Sequence, residues 1–158
     1  DIESRDWLLK PCKGCYFTAS PAPKLRRLVY PVPAKNNVSL GIHATLDLAG
    51  RVRFGPDSRY LEGPVGPGDY AVDEERREAF REAICRYLPG MAAAELSPDM
   101  AGIRPKLQAP GEPPRDFAIQ EERAAGLPGL VNLVGMESPG LTASLAIGRY
   151  VAALIDPP

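Results

Sequence analysis

Hydrophobic and polar residues alternate with a period of two over residues 24–54, the pattern of β-strands with one covered face. The alternation is clearest in Leu40–Leu48, where the even-numbered positions are apolar and the odd-numbered ones, His43 among them, are mostly polar. A short Ala-Gly step separates this segment from Arg51–Phe54, which repeats the pattern. An antiparallel hairpin is therefore predicted.

Two more strands are predicted in the first half of the chain, at Gly14–Thr18 and Arg27–Val32. Pro31 indicates that the second strand lies at a sheet edge or contains a bulge, because proline has no backbone N–H to donate to a neighbouring strand. The proline- and glycine-rich segment Gly55–Gly68 is predicted to be a loop. A helix with Asp73 as its N-cap is predicted to follow, and a Pro-Gly pair ends it. Apolar residues recur at helical spacing along one face of this helix. The other face carries many charged residues and is predicted to be solvated.

The second half of the chain holds three more predicted strands and a second helix. The strands are predicted at Ala101–Leu107, Phe117–Gln120 and Leu130–Gly135. The last is a short apolar run that suits a fully buried strand. Leu141–Ile155 is predicted to be an apolar helix with small residues along one side. A buried strand that turns into an apolar helix is suited to packing on a larger sheet.

The composition is that of a globular protein and excludes several classes. Hydrophobic residues make up 44% and charged residues 25% of the 158 residues, which excludes a disordered chain, collagen and a coiled coil. With 19 Lys and Arg against 20 Asp and Glu, the chain lacks the positive excess of a general nucleic-acid binder. It also lacks the roughly 18 consecutive apolar residues of a membrane span. We therefore expect a soluble, cytoplasmic protein.

Six short segments of the chain form a recognisable series. They are KGCYF (13–17), LVYPVP (28–33), LGIHATLD (40–47), RFGPD (53–57), GIRPK (102–106) and VGMESPGLTAS (134–144). In this order they resemble the C-terminal part of the L-2-hydroxyglutarate dehydrogenases, which belong to the flavoenzyme superfamily of D-amino acid oxidase and glycine oxidase. The family's N-terminal Gly-x-Gly-x-x-Gly turn, which receives the FAD pyrophosphate, is absent from the sequence. We therefore expect the later part of a longer flavoprotein, with the remainder of that chain as its partner.

The resemblance implies an α+β fold. It consists of an antiparallel or mixed substrate-domain sheet with a covering helix, followed by a C-terminal strand and helix of an FAD-binding domain. Residues 1–120 are predicted to form part of the substrate-binding cap domain, and residues 121–158 to complete the FAD-binding domain. The implied activity is oxidation of a small 2-hydroxy acid, such as L-2-hydroxyglutarate, by hydride transfer to FAD.

His43 is the candidate catalytic base. It is the single histidine of the chain. An unperturbed imidazole has a pKa of about 6.5, which suits proton transfer close to neutral pH. In the resembled family such a group could accept the hydroxyl proton of the substrate while hydride leaves the α carbon. The alternative is a hydrogen-bonded structural histidine.

Arg104 matches the family's arginine for the substrate carboxylate. Its planar guanidinium can hold a carboxylate through two parallel, charge-assisted hydrogen bonds. Tyr30 could donate a further hydrogen bond to the same carboxylate. The alternatives are a surface arginine at a strand end and a tyrosine that only packs.

Ser138, Pro139, Gly140, Leu141 and Thr142 align with the family's flavin-contacting turn. Backbone N–H groups at the positive end of a helix suit a flavin carbonyl oxygen and the negative charge that reduction places on the ring. Glycine at position 140 would permit close approach of the backbone. The alternative is an ordinary helix start capped by Ser138.

Cys12 and Cys15 form a Cys-x-x-Cys pair that the family pattern does not include. With Cys85 and His43 they would supply four zinc ligands, but one such pair without a second is weak evidence, and no metal is predicted. Reduced thiols are expected in the cytosol, and a disulfide would need an oxidising compartment.

Two other functions stay open at this point. The first is an FAD-dependent oxidase of the amino-acid, glycine or sarcosine type, which oxygen consumption with amines would reveal. The second is a non-catalytic binding module stapled by zinc, which would contain zinc and no yellow chromophore.

Overall fold

The computed structural model describes residues 7–32 and 41–156, and within these ranges it contains seven strands and two α-helices. The strands are β1 (Lys10–Ser20), β2 (His43–Leu46), β3 (Val52–Gly55), β4 (Arg59–Tyr60), β5 (Glu95–Lys106), β6 (Ala118–Glu122) and β7 (Leu127–Val134). The helices are α1 (Arg77–Cys85) and α2 (Gly140–Ile155). The strand pairs with a defined register are antiparallel, so the α+β fold with antiparallel sheets is confirmed.

The chain divides into two compact units. We call Cys12–Ile103 the sheet unit, and residues 7–11 with 104–156 the hairpin–helix unit. The boundary at residue 120 between a cap domain and an FAD-binding part stays a prediction.

The sheet unit is built on a sheet with the strand order β2-β3-β1-β4, in which β5 also pairs with β1. The predicted hairpin is confirmed as β2 and β3, with Ala44 opposite Phe54. Alternate side chains of these strands enter a core that α1 covers. Among its buried members are Phe17, Ala44, Phe54, Phe80 and Ile84. The rings of Phe17 and Phe80 lie 4.6 Å apart and tie β1 to α1.

The hairpin–helix unit consists mainly of β6, β7 and α2. The two strands pair from Ala118 opposite Val134 onward, with a register shift between Glu121 and Glu122. Glu121 accepts hydrogen bonds from the backbone N–H groups of Gly129, at 2.7 Å, and Arg123, at 2.9 Å. These two donors lower the pKa of the Glu121 carboxyl. The carboxylate thereby fastens the connection between the two strands.

Helix α2 packs on both strands of this hairpin. The residues on its more buried side follow helical spacing and are Ala143, Ile147, Val151 and Leu154. Other apolar side chains of the unit are exposed, including Leu141 at 91% and Leu145 at 79% on α2. The helix thus has one face on the hairpin and a second apolar face open.

Several predicted elements are confirmed in extended or shortened form. The strands predicted at 14–18, 101–107 and 117–120 are present as β1, β5 and β6, and the second predicted helix is present as α2. The strand predicted at Leu40–Leu48 is present only as β2, and Leu40 lies outside the described residues.

The prediction of a fully buried strand at Leu130–Gly135 is wrong in its burial. A strand is present there as β7, but Leu130 is 46% and Leu133 47% exposed. An apolar run is buried on both faces only where other layers cover it. In the described chain β7 pairs with one strand and packs on one helix, which leaves part of it uncovered.

The strand predicted at Arg27–Val32 is not formed. The segment makes a single β-bridge, between Val29 and Ala44. Pro31 has no backbone N–H to continue the ladder, which explains why the pairing stops there. The loop predicted at Gly55–Gly68 is interrupted by the short strand β4.

Helix α1 begins later than predicted. Asp73 precedes a 3-10 turn, Glu74–Arg76, and makes no side-chain capping bond. Its carboxylate lies instead 3.2 Å from Nη1 of Arg59, in an ion pair.

The charged side of α1 is only partly the solvated face that was predicted. Arg76 pairs at 3.0 Å with Asp57, whose side chain is 7% exposed. The guanidinium of Arg81 donates to the carbonyl oxygens of Ala92 and Ala94. These two arginines therefore fasten neighbouring segments to the helix.

Candidate functional site

Tyr30 and His43 meet in the sheet unit. Val29 and Ala44 exchange backbone hydrogen bonds of 3.0 and 2.9 Å, so the residue after Val29 lies opposite the residue before Ala44. The two rings stack, with centroids 4.3 Å apart and planes inclined by 21°. The structure thus brings together the predicted base and one of the predicted substrate-binding residues.

The imidazole of His43 is held by its own backbone neighbourhood. Its Nδ1 lies 2.9 Å from the carbonyl oxygen of Gly41. Because a carbonyl only accepts hydrogen bonds, Nδ1 carries a proton and donates it. In the neutral ring the basic lone pair therefore resides on Nε2.

Gly41 is suited to present that carbonyl. Its φ of +75° lies in the left-handed region that favours glycine. A Cβ atom at this position would also lie 3.0 Å from Cγ of Pro31. Local backbone geometry therefore sets the tautomer of His43, and a larger residue would disturb it.

The two rings differ in exposure. His43 is only 7% exposed, whereas Tyr30 is 49% exposed. Shelter from water strengthens the hydrogen bond that orients the imidazole. Roughly half of Tyr30 stays accessible from solvent.

Arg104 and the segment Ser138–Thr142 both belong to the hairpin–helix unit. Arg104 lies two residues before the end of β5 and is half-buried. Nζ of Lys106, the last residue of the strand, is 2.8 Å from Oε1 of Glu137, which immediately precedes Ser138. An ion pair thus connects the end of the strand that carries Arg104 with the predicted flavin-contacting segment.

Helix α2 begins without a side-chain cap. Its N-cap residue is Pro139 rather than Ser138, so an ordinary start capped by Ser138 is excluded. The N–H of Gly140 donates to the carbonyl of Glu137 at 2.6 Å. This bond closes the turn that leads into the helix.

The first turn of α2 is open to solvent. Leu141 and Thr142 are exposed, and an α-helix provides no internal acceptor for N–H groups in its first turn. These groups form the positive end of the helix dipole. A Cβ atom on Gly140 would meet the ring of Phe117 at 3.7 Å, an ordinary contact, so the backbone here is not crowded.

Cys12 and Cys15 are buried on β1, and neither is in a disulfide. Residues three apart on a strand point to opposite faces and lie about 10 Å apart, so the two cannot form a disulfide with each other. Sγ of Cys12 lies 3.0 Å from Oγ of Ser58. Over residues 7–32 and 41–156, no three side chains of His, Cys, Asp or Glu cluster as metal ligands do. The zinc set considered from the sequence is therefore not assembled.

Sequence reasoning missed the ion pair of Lys106 and Glu137. Both residues lie inside the segments that carry the family resemblance, at the end of GIRPK and within VGMESPGLTAS. Their opposite charges within these two segments were the available signal.

No helix among the described residues has the length and apolar character needed to cross a membrane.

Comparisons with known proteins give a consistent result. A family model described as FAD dependent oxidoreductase (DAO) matches residues 2–154. The chain is 47% identical over 148 residues to L-2-hydroxyglutarate dehydrogenase, mitochondrial, of Arabidopsis thaliana, a match that covers 89% of this chain and 30% of that protein. It is 26% identical over 182 aligned positions to L-2-hydroxyglutarate dehydrogenase of Indibacter alkaliphilus, covering 94% of this chain and 44% of that protein.

A solved structure has the same fold over most of the chain. It is the dithionite-reduced L-alpha-glycerophosphate oxidase of Mycoplasma pneumoniae with FAD bound, with a TM-score of 0.66 and 24% sequence identity. The match covers 94% of this chain and 36% of that one. The chain thus spans less than half the length of each of these relatives.

Proposed function

Because the chain belongs to the DAO family of FAD-dependent oxidoreductases, we propose that it is the substrate-binding part, with the last strand and helix of the FAD-binding part, of a 2-hydroxy-acid dehydrogenase. L-2-hydroxyglutarate is the first candidate substrate. The observation that carries this proposal is the 47% identity to a relative named for that substrate. Since the chain spans 30% of that relative, the remainder of a longer flavoprotein is its expected partner.

The start of α2 suits a flavin ring. The N–H groups of Leu141 and Thr142 and the helix dipole favour an electron-rich oxygen, and Gly140 leaves the backbone uncrowded. Ser138, Pro139, Leu141 and Thr142 are all exposed. When bound, FAD supplies the acceptor for the two electrons that leave the substrate as hydride.

The exposed leucines of the hairpin–helix unit support a partner from the same flavoprotein. Exposed leucines lie on both α2 and β7, namely Leu127, Leu130, Leu133, Leu141 and Leu145. Burying the apolar surface of these side chains would stabilise the protein by about 25 cal/mol per Å². We expect the rest of the FAD-binding domain to cover it.

Arg104 holds the substrate carboxylate in this proposal. A bidentate guanidinium fixes both the position and the rotation of the carboxylate, and so the direction of the α C–H bond. Tyr30 donates a further hydrogen bond to the same group.

His43 takes the hydroxyl proton on Nε2, the nitrogen that bears the lone pair when Nδ1 donates to Gly41. As the O–H bond breaks, its electron pair forms the carbonyl, and the α hydrogen departs with the C–H electron pair. The substrate becomes a 2-oxo acid, and the imidazole becomes a cation. The carbonyl of Gly41 stabilises that cation through the Nδ1–H bond.

The full-length flavoprotein tests the proposal. We expect it to purify with FAD and to lose its visible flavin absorbance on anaerobic mixing with L-2-hydroxyglutarate. Flavin that is reduced by glycine or sarcosine, and by no 2-hydroxy acid, would replace the proposed reaction with an amine oxidation. A cytoplasmic location stays a prediction, and the Arabidopsis relative is named as mitochondrial.

A further inference from the structure

The ion pair of Lys106 and Glu137 is sheltered and long-range. Its atoms are 2.8 Å apart, and the two side chains are 12% and 14% exposed. The partners are 31 residues apart in the chain. A pair so removed from solvent is screened little by salt and orients both segments that carry it.

Lys106 shares a strand face with Arg104. Side chains two residues apart in a β-strand point to the same side of the sheet. The ammonium group that anchors Glu137 therefore stands beside the guanidinium proposed to hold the substrate.

Glu137 controls the turn before α2 through its backbone. Its carbonyl accepts the N–H of Gly140 at 2.6 Å, and its N–H donates to the carbonyl of Gly135 at 2.8 Å. Because the side chain is fixed to β5 and the backbone closes the turn, a displaced carboxylate would displace the start of the helix.

A second contact joins the same two segments. Gly135 has a φ of +73°, and a Cβ atom there would lie 2.6 Å from Cδ1 of Leu107. Leu107 follows Lys106 directly and is 4% exposed. The turn is thus packed against the end of β5 as well as charge-paired with it.

We propose that Lys106 and Glu137 are positioning residues whose ion pair sets the geometry between Arg104 and the start of α2. The inference rests on the proposed function, in which these two places hold the substrate carboxylate and the flavin. Hydride transfer needs reacting atoms about 3–3.5 Å apart, and a misplacement of about 1 Å can cost about 100-fold in rate. The pair therefore acts on the reduction step by fixing the positions of Arg104 and the start of α2.

The test uses the full-length flavoprotein and two readouts. Lys106→Met and Glu137→Gln each remove one charge, and the double variant Lys106→Glu with Glu137→Lys restores the pair in reverse. Arg123→Met is the matched control, because Arg123 is 58% exposed and lies 3.9 Å from Glu121 in the same unit. The readouts are the limiting rate of flavin reduction at saturating L-2-hydroxyglutarate and amide hydrogen exchange over residues 135–143 in the apoprotein.

We expect each single variant to lower the limiting rate by about 10-fold or more, with a smaller change in substrate affinity. Amide exchange over residues 135–143 accelerates in both single variants. The reversed pair recovers the limiting rate of flavin reduction and the protection of these amides from exchange. Arg123→Met matches the parent in both readouts. Parental rates and unchanged exchange in both single variants would overturn the inference.

Two outcomes separate this inference from the proposed function. If the single variants do not fold, the reversed pair decides, and its failure to recover protection refutes the inference. If the parent's flavin is not reduced by any 2-hydroxy acid, the proposed substrate is wrong, and amide exchange alone tests the inference about the ion pair. Faster exchange in the single variants then supports the inference, and unchanged exchange rejects it.

Discussion

The ring of Tyr30 lies 4.3 Å from that of His43 and stacks on it, while Nδ1 of the histidine donates to the carbonyl of Gly41 at 2.9 Å. One contact restricts the tilt of the imidazole, and the other sets which nitrogen is basic. A base with both constraints keeps Nε2 in one direction. The arrangement therefore suits a base that takes a proton from a substrate held in a fixed pose.

Replacing His43 tests its role as the base. His43→Ala in the full-length flavoprotein is expected to lower the rate of flavin reduction by about 100-fold or more, because loss of a positioned general base has that magnitude. The amount of FAD bound per protein is expected to equal that of the parent. Stopped-flow reduction with L-2-hydroxyglutarate measures the effect.

Tyr30→Phe is the matched control for this variant, since it keeps the stacked ring and removes only the hydroxyl. It should weaken substrate binding a few-fold, by about one hydrogen bond, and leave the limiting rate near that of the parent. A reduction rate in His43→Ala within a factor of about three of the parent would reassign the histidine to a structural role.

Replacing Arg104 tests carboxylate binding. Arg104→Met is expected to raise the dissociation constant for the substrate by about 10- to 100-fold, because it removes hydrogen bonds to a charged group. The dissociation constant of Arg104→Lys should lie between those of the parent and Arg104→Met, since an ammonium group keeps the charge but lacks the planar fork of a guanidinium. The substrate dependence of the reduction rate gives these constants.

Arg149→Met serves as control because Arg149 is exposed on α2 and its guanidinium donates to the carbonyl of Leu145 in its own helix. Substrate affinity equal to the parent's in both Arg104 variants would show that another group binds the carboxylate.

Two glycine variants separate backbone strain from crowding in the hairpin–helix unit. Gly135→Ala and Gly129→Ala both place a side chain at positive φ, +73° and +84°. Each is expected to cost about 1–2 kcal/mol for the conformation. Only Gly135→Ala also meets a neighbour, Leu107, so it should destabilise the protein more. Thermal unfolding of the two variants measures the difference, and equal melting temperatures would show that Leu107 moves aside without cost.

The burial of Tyr87 leads us to expect that the protein loses stability at alkaline pH. Burial raises its pKa to about 12 from the ordinary value of 10.0. Between these values the unfolded chain loses the phenolic proton while the folded chain keeps it, so the free energy of unfolding falls as pH rises. Its hydroxyl is buried and, within the described residues, has no hydrogen-bond partner. Tyr87→Phe is therefore expected to leave stability at pH 7 unchanged or higher.

Urea unfolding followed from pH 8 to 12 checks this expectation, with a shallower alkaline decline in Tyr87→Phe than in the parent. The same slope in both proteins would mean that the phenol titrates alike in the folded and unfolded states.

The hydrophobic pattern of the sequence correctly predicted those elements whose apolar face is covered by other parts of the same chain. Period-two alternation identified β2 and β3 correctly, because α1 covers one face of that hairpin. It failed for Leu130, whose burial depends on layers that the two strands and one helix of its unit do not provide. It failed also at Arg27–Val32, where one bridge took the place of a strand.

Contacts between distant residues were beyond sequence reasoning. His43 was singled out for its chemistry, but its stack with Tyr30 depends on the register of the Val29–Ala44 bridge. The pairing of Lys106 with Glu137 depends on how a strand end meets a turn 31 residues later. No spacing rule connects such partners, since i, i+2 and i, i+4 patterns describe only neighbours within an element.

Single-turnover reduction of the full-length flavoprotein with competing substrates tests the central claim most directly. The account predicts that L-2-hydroxyglutarate bleaches the bound flavin and yields one 2-oxo acid per flavin, that the D enantiomer and 2-amino acids do not, and that Arg104→Met weakens the response. Flavin that stays oxidised with every 2-hydroxy acid, but is reduced by an amino acid or by glycerol phosphate, would contradict it.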